Sequence, residues 1–295
     1  MRFELTTDQR DFAASLESLL AAADTVSVAR AWADGDHAPG RRLWERLAEQ
    51  GVTMLATDAT PVEVCIAFEA LGRHAVPGPW VESAAYLPMA LGREVEGIGT
   101  VAAPRALDAD VADEVYVVVD GALHAATPGA AHVSVHRGRH LFDVTPGEAV
   151  DHGDLAAADD LAILATAAQL LGAGERVLAD AVTYVKQRKQ FGREIGSYQA
   201  IKHALADVRI ALDFARPLVF GAALAPTPRS VSAAKVACAD AAYLASRTGL
   251  QVHGAIGYTQ EFDLSVWITK IRALVTAWGT PAEHRARILD SLVGA

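Results

Sequence analysis

The longest apolar run of the chain, Leu161 to Gly174, carries no charge, includes Gln169 and is bounded by Asp159, Asp160 and Glu175. It falls short of the roughly 20 residues needed to cross a bilayer. A helix that is apolar all round has to be covered all round, so the run predicts a helix buried inside a protein. Helical patterning continues to the end of the chain, with helices predicted near 157–190, 197–224, 229–252, 264–276 and 281–293. Pro217 falls within the second and is expected to kink it; Pro226-Thr227-Pro228 forces a break before the third.

Two other textures precede this one. From Thr7 to about Leu91 the pattern is helical: Phe12, Leu16, Leu19 and Leu20 share one face, Leu43, Trp44 and Leu47 another, and Asp36 to Gly40 separates the two. Pro61 is placed to start a further helix through Val64, Phe68 and Leu71. Between about Ile98 and Asp151 the character is strand and turn. Val115 to Val119 is a β-branched run ending in Asp120-Gly121, and His132 to Arg137 alternates before Gly138, which together predict two hairpins. The boundaries fall at 1–97, 98–152 and 153–295, a mostly α arrangement of the α+β class.

Composition excludes several classes. A formal net charge of -10 repels polyphosphate over most of the surface, so no extended nucleic-acid partner is expected and any phosphate site must be local. Cys65 and Cys238 are the only cysteines and form no metal-ligand spacing, which argues against a disulfide framework or a structural zinc. Asp8 and Asp11 stand where a secretory signal needs an apolar core. A cytoplasmic protein with no membrane segment is the expectation.

Chemistry concentrates in two motifs. Arg188-Lys189-Gln190-Phe191-Gly192 closes the long predicted helix, and Gln251-Val252-His253-Gly254-Ala255-Ile256-Gly257-Tyr258 follows about sixty residues later, with Ala277-Trp278-Gly279-Thr280 beyond it. Taken alone, Lys186, Arg188, Lys189 and Arg193 could be solvated charges complementing a helix C-terminus. Together the motifs resemble the C-terminal half of acyl-CoA dehydrogenases, and Phe68-Glu69-Ala70-Leu71-Gly72-Arg73 is similar to a motif of their N-terminal domains. The resemblance implies an N-terminal helical domain, a shortened middle β region and a C-terminal four-helix bundle. It also implies FAD, shared across a subunit interface. Arg188 would meet phosphate oxygens with its guanidinium fork, Phe191 would wall the nucleotide, and Gln190, Gln251, Gly254 and Ala255 would complete the contact. His253 reads as structural.

What is absent is as specific. In the family the α-proton of the acyl-CoA is taken by a glutamate preceding Gly-Thr, or in another subgroup by a base on the long helix; those positions here hold Trp278 and Ala162, with Ile163 where an arginine is frequent. An indole has no basic nitrogen at neutral pH and alanine has nothing to protonate. The middle region lacks the loop and strand that contact the flavin ring, and Thr269-Lys270 replaces an Arg-Asp pair. Glu261, Asp263 and Glu283 remain as carboxylates in the right segments, Glu283 reading as the first-turn acid of the last helix. The pattern resembles the smaller subunits of heteromeric acyl-CoA dehydrogenases of actinobacterial steroid breakdown. It implies a full-length, catalytically complete partner that binds most of the acyl-CoA and passes electrons to an electron-transfer flavoprotein. A self-sufficient homotetramer with a relocated base and a flavin-free assembly subunit are the open alternatives.

Overall fold

The computed structural model describes residues 4–293. Helices α1 (Thr7–Ala21), α2 (Thr25–Ala33), α3 (Ala38–Glu49), α4 (Leu55–Asp58), α5 (Pro61–Arg73) and α6 (Leu87–Leu91) form the first layer, a π-helical turn at Glu82–Tyr86 leading into α6. Capping boxes start α1 at Thr6 and Gln9 and α5 at Thr60 and Glu63, which satisfies backbone donors that would otherwise be orphaned. The chain breaks at 22–24 as well as before α3. Asp24 adopts a left-handed conformation there and caps α2 through Ser27 N, a turn that no glycine or proline announces.

Strands β1 (Gly99–Ala102), β2 (Ala106–Leu107), β3 (Glu114–Val119), β4 (Ala122–His132) and β5 (Leu141–Ala149) make one sheet in the order β1-β3-β4-β5-β2. β1 and β3 run parallel and the other pairs antiparallel. Asp120 and Gly121 both have positive φ, as a tight hairpin between β3 and β4 requires, so the first predicted hairpin is present. A second hairpin is present too, between β4 and β5, but the residues beyond His132 that were expected to be its strand are not in it. β4 ends at His132, and the alternating residues after it form a connection rather than a strand. His136 turns inward, buried, with Nδ1 2.9 Å from Thr269 Oγ1, while Val133 is fully exposed; one side chain anchored to a helix pulls the segment out of the sheet.

The last layer is α7 (Leu155–Gln187), a two-strand hairpin of β6 (Lys189–Gln190) and β7 (Arg193–Glu194), α8 (Gln199–Leu224), α9 (Pro228–His253), α10 (Leu264–Thr276) and α11 (Pro281–Val293). α7 is the buried central helix, with every residue from Leu161 to Gly174 inside the core. Pro217 lies inside an otherwise continuous α8. Where α5 crosses α7 the backbones meet through paired glycines: a side chain at Gly72 would collide with the Gln169 carbonyl, and one at Gly172 with that of Glu69. Beside this crossing Arg216 grips both oxygens of Glu69 at 2.8 Å, and Arg209 grips Glu175 at 2.7 Å. Burial alone would push the Glu175 carboxyl up, yet the two guanidinium forks hold it below its ordinary range. The outer face of α8 leaves Ile210, Phe214 and Leu218 exposed four residues apart, an apolar stripe without cover.

Candidate functional site

Arg188 ends α7 in an extended conformation and the chain reverses at once over Phe191-Gly192, whose φ angles of 53° and 80° make a two-residue hairpin turn. Gly192 suits that turn; Phe191 does not, since a side chain in left-handed backbone costs roughly 1–2 kcal/mol. The ring recovers little from its own chain, being 90% exposed. A strained backbone holding an aromatic ring out to solvent points to a use outside the chain.

Gln190 and Phe191 line a cleft of about 400 Å³ with Ile195, Tyr198, Ile201 and Gln251. The two motifs, sixty residues apart in sequence, therefore meet in one place. Arg188 is exposed at the foot of the hairpin, outside the cleft lining, and Gly254 and Ala255 open the 3-10 turn that follows α9 just past Gln251. Gly254 has φ of 63° with open space where a side chain would stand, so a ligand can approach its backbone. Among the described residues the side chains of Arg188, Gln190 and Gln251 accept or donate no hydrogen bond. His253, in contrast, is buried, with Nδ1 2.7 Å from the Gly249 carbonyl and its ring stacked on Tyr184 at 4.1 Å. Its role is packing. A guanidinium and two amides without side-chain partners, beside an apolar wall, suit the phosphate and ring parts of a flavin dinucleotide.

The other candidate region lies at the end of α10. Lys235 on α9 is fully buried and donates to the carbonyls of Leu274, Val275 and Gly279 at 3.1, 3.0 and 3.3 Å, capping the helix, while burial pushes its ammonium down to about 8. Trp278 follows in left-handed backbone, its carbonyl 2.9 Å from His284 Nε2 and its indole 5.1 Å from the Tyr86 ring. Trp278, Glu82, Arg105, Arg139 and Arg272 border a cleft of about 500 Å³. Ala162 is fully buried and Ile163 nearly so, both on α7. Neither base position carries a proton acceptor. Of the remaining acids, Asp263 pairs with Arg30 at 2.8 Å and Glu261 is exposed, its carbonyl taking a second bond from Arg30. Glu283 accepts from Thr280 N and Oγ1 at 2.6 and 2.8 Å, and those bonds hold its carboxyl below the ordinary range.

Glu82 escapes sequence reasoning. It is buried in the π-helical turn, and burial pushes its carboxyl up, with the Arg139 charge and the Trp278 indole pulling the other way. Lys270 is also buried; desolvation and the Arg139 charge push its ammonium down to about 7. The only local signal is a charge inside an apolar run, at Val81-Glu82-Ser83-Ala84-Ala85 and at Ile268-Thr269-Lys270-Ile271.

Residues 162–293 match the family described as acyl-CoA dehydrogenase, C-terminal domain. The chain is 31% identical to the acyl-CoA dehydrogenase IpdE2 of Mycobacterium tuberculosis, over 93% of its own length and 94% of the relative's. Among solved structures it is similar to a chain in the crystal structure of the ChsE4-ChsE5 complex from Mycobacterium tuberculosis, with a TM-score of 0.85 at 20% identity over 100% of this chain and 100% of that one. It is also similar to PigA with FAD and proline, with a TM-score of 0.86 at 14% identity over 99% of each chain. The chain belongs to the acyl-CoA dehydrogenase family and has its fold, mostly helical with a small sheet and a C-terminal helical domain.

Proposed function

We propose that this member of the acyl-CoA dehydrogenase family is the non-catalytic subunit of a heteromeric, FAD-dependent enzyme that desaturates a bulky, steroid-type acyl-CoA between its α and β carbons. The observation that carries the reading is the strained, exposed Phe191 beside unpaired Arg188, Gln190 and Gln251: groups built for a ligand that this chain does not enclose. A full-length dehydrogenase subunit would supply the rest of the FAD site, the base and most of the acyl-CoA site. The likeness to the ChsE4-ChsE5 complex supports that kind of partner, and the exposed stripe of Ile210, Phe214 and Leu218 supports a helical face buried on assembly.

When bound, FAD accepts the hydride from the β carbon. This chain's part is to hold the dinucleotide. Arg188 meets phosphate charge, Phe191 excludes water from one side of it, and Gln190 and Gln251 orient it by hydrogen bonds. Trp278 fills space on Tyr86 where a catalytic glutamate would stand, so no proton is taken there. Electrons would leave for an electron-transfer flavoprotein, and the complex would work in the cytoplasm.

The test is expression with and without the partner. The chain alone is expected to be colourless and inactive; co-expressed with the full-length dehydrogenase it should give a yellow complex with flavin in equal amount to pairs of unlike chains. A yellow, active homomer would overturn the reading. Glu82 favours one rival, a self-sufficient enzyme with a relocated base, because a buried carboxyl pushed up beside an open cleft suits proton abstraction. Loss of turnover in Glu82→Gln at unchanged FAD content would establish that rival; unchanged turnover of the complex is expected.

A further inference from the structure

We propose that the corner where α3, the turn after β2 and the start of β5 meet binds one divalent cation of the zinc class, through His37, Asp110 and His140. Each of the three offers a ligand atom, and those atoms lie within 4.8 Å of one another. Donors bound at about 2.0–2.2 Å around one centre stand somewhat closer than that, so side-chain rotations suffice to close the set. Two imidazoles and one carboxylate suit Zn²⁺, whereas Mg²⁺ and Ca²⁺ favour oxygen alone.

The surroundings are those of an unfinished polar site. His37 Nε2 is shielded from solvent and without a hydrogen-bond partner. His37 occupies the N-cap position of α3 yet makes no capping bond with its side chain, so helix capping does not account for the imidazole. Behind His140 lies Asp108, fully buried, one oxygen 3.2 Å from His140 Nδ1 and the other with no partner. A carboxylate backing an imidazole in this way is the usual support for a metal-ligating histidine, since it fixes the ring and strengthens the opposite nitrogen as a donor. Trp32, 1% exposed, walls the other side with its ring 4.6 Å from that of His37. Asp110 is exposed, which leaves a route in from solvent. His37 and His140 are 103 positions apart, so the cysteine spacing that argued against a structural zinc could not register them; the fold alone brings them together.

Such a cation would tie the first helical layer to the sheet. The test is titration of the full chain, stripped with chelator, by Zn²⁺ and separately by Mg²⁺ in a calorimeter at neutral pH. The expected result is saturable Zn²⁺ binding at about one per chain and none for Mg²⁺, weakened at least tenfold in His37→Ala, His140→Ala and Asp110→Asn and roughly tenfold in Asp108→Asn. Zn²⁺ should raise the melting temperature of the parent and not of His37→Ala. Should the histidine variants fail to fold, Asp110→Asn at the exposed side carries the same comparison. Absence of saturable Zn²⁺ binding, or binding that Asp110→Asn and the folded histidine variants leave unchanged, overturns the proposal.

Discussion

The cleft under the Phe191 hairpin and the cleft in front of Trp278 differ in where their polar groups find partners. In the first, Arg188, Gln190 and Gln251 are exposed and their side chains bond to nothing among the described residues, and the backbone is strained to hold an aromatic ring outward. In the second, Lys235 caps α10, His284 meets the Trp278 carbonyl, Trp278 leans on Tyr86, and Glu82 and Lys270 are buried beside one another's fields. One region reserves its interactions for a visitor; the other has spent them on its own fold. On the function proposed above, the difference teaches that a site without its base is free to become core, whereas a half-site for a shared cofactor stays under tension.

The sharpest way to break the contrast is Trp278→Glu. Restoring a carboxylate removes the contact with Tyr86 and sets a negative charge near Glu82, so the variant should lose about 3 kcal/mol of stability in urea melts. Turnover per bound FAD in the complex should not rise; a second active site there would end the distinction. Next comes Arg188→Ala, expected to weaken FAD retention roughly ten- to a hundredfold by removing a charge-assisted phosphate contact. Flavin release under mild denaturant measures it, with Lys189→Ala as the control that should change little. Equal losses in both would mean a solvated basic cluster.

A pH comparison separates the regions again. Lys270 is pushed down to about 7 in the fold against an ordinary 10.5, so the unfolded chain holds the extra proton between those values. Its favourable contribution is complete above 10.5 and is lost as pH falls through 7. Stability should therefore gain about 2 kcal/mol from this group between pH 7 and 9, a gain that Lys270→Met removes and Arg188→Ala leaves intact. The smallest effect is Phe191→Gly, which relieves left-handed strain and should stabilise the chain by about 0.5–1 kcal/mol while lowering FAD retention in the complex. Opposite signs in the two measurements would show that the turn is kept for the ligand.

Much of this was legible beforehand, and for identifiable reasons. The C-terminal helices announce themselves by apolar period and by Pro226-Thr227-Pro228, so the predicted spans 157–190 and 229–252 differ from α7 and α9 by no more than three residues at either end. Gln190, Phe191 and Gln251 stood out as members of two short local motifs, whereas Ile201, Ala204 and Thr248, which line the same cleft, belong to neither. Other features depend on tertiary partners that no local pattern encodes. His132 to Arg137 alternates like a strand, but His136 is drawn to Thr269. Glu82, Lys235 and Lys270 look like isolated charges in apolar runs until α10 and the sheet close around them.

The paired glycines at the crossing of α5 and α7 have a consequence for how such a chain can change over generations. With Gly72 against Gln169 and Gly172 against Glu69, the first and last helical layers are keyed directly to each other, like two gears sharing a tooth, and need no strand between them to keep register. Val101, Tyr116 and Leu123 of the sheet share the core with both layers, while the far end of β4 and β5 stands largely exposed on the frame the layers make. Lengthening or trimming the β4–β5 hairpin alters what the frame carries without loosening its joint, whereas a single methyl group at either glycine would pry the frame apart.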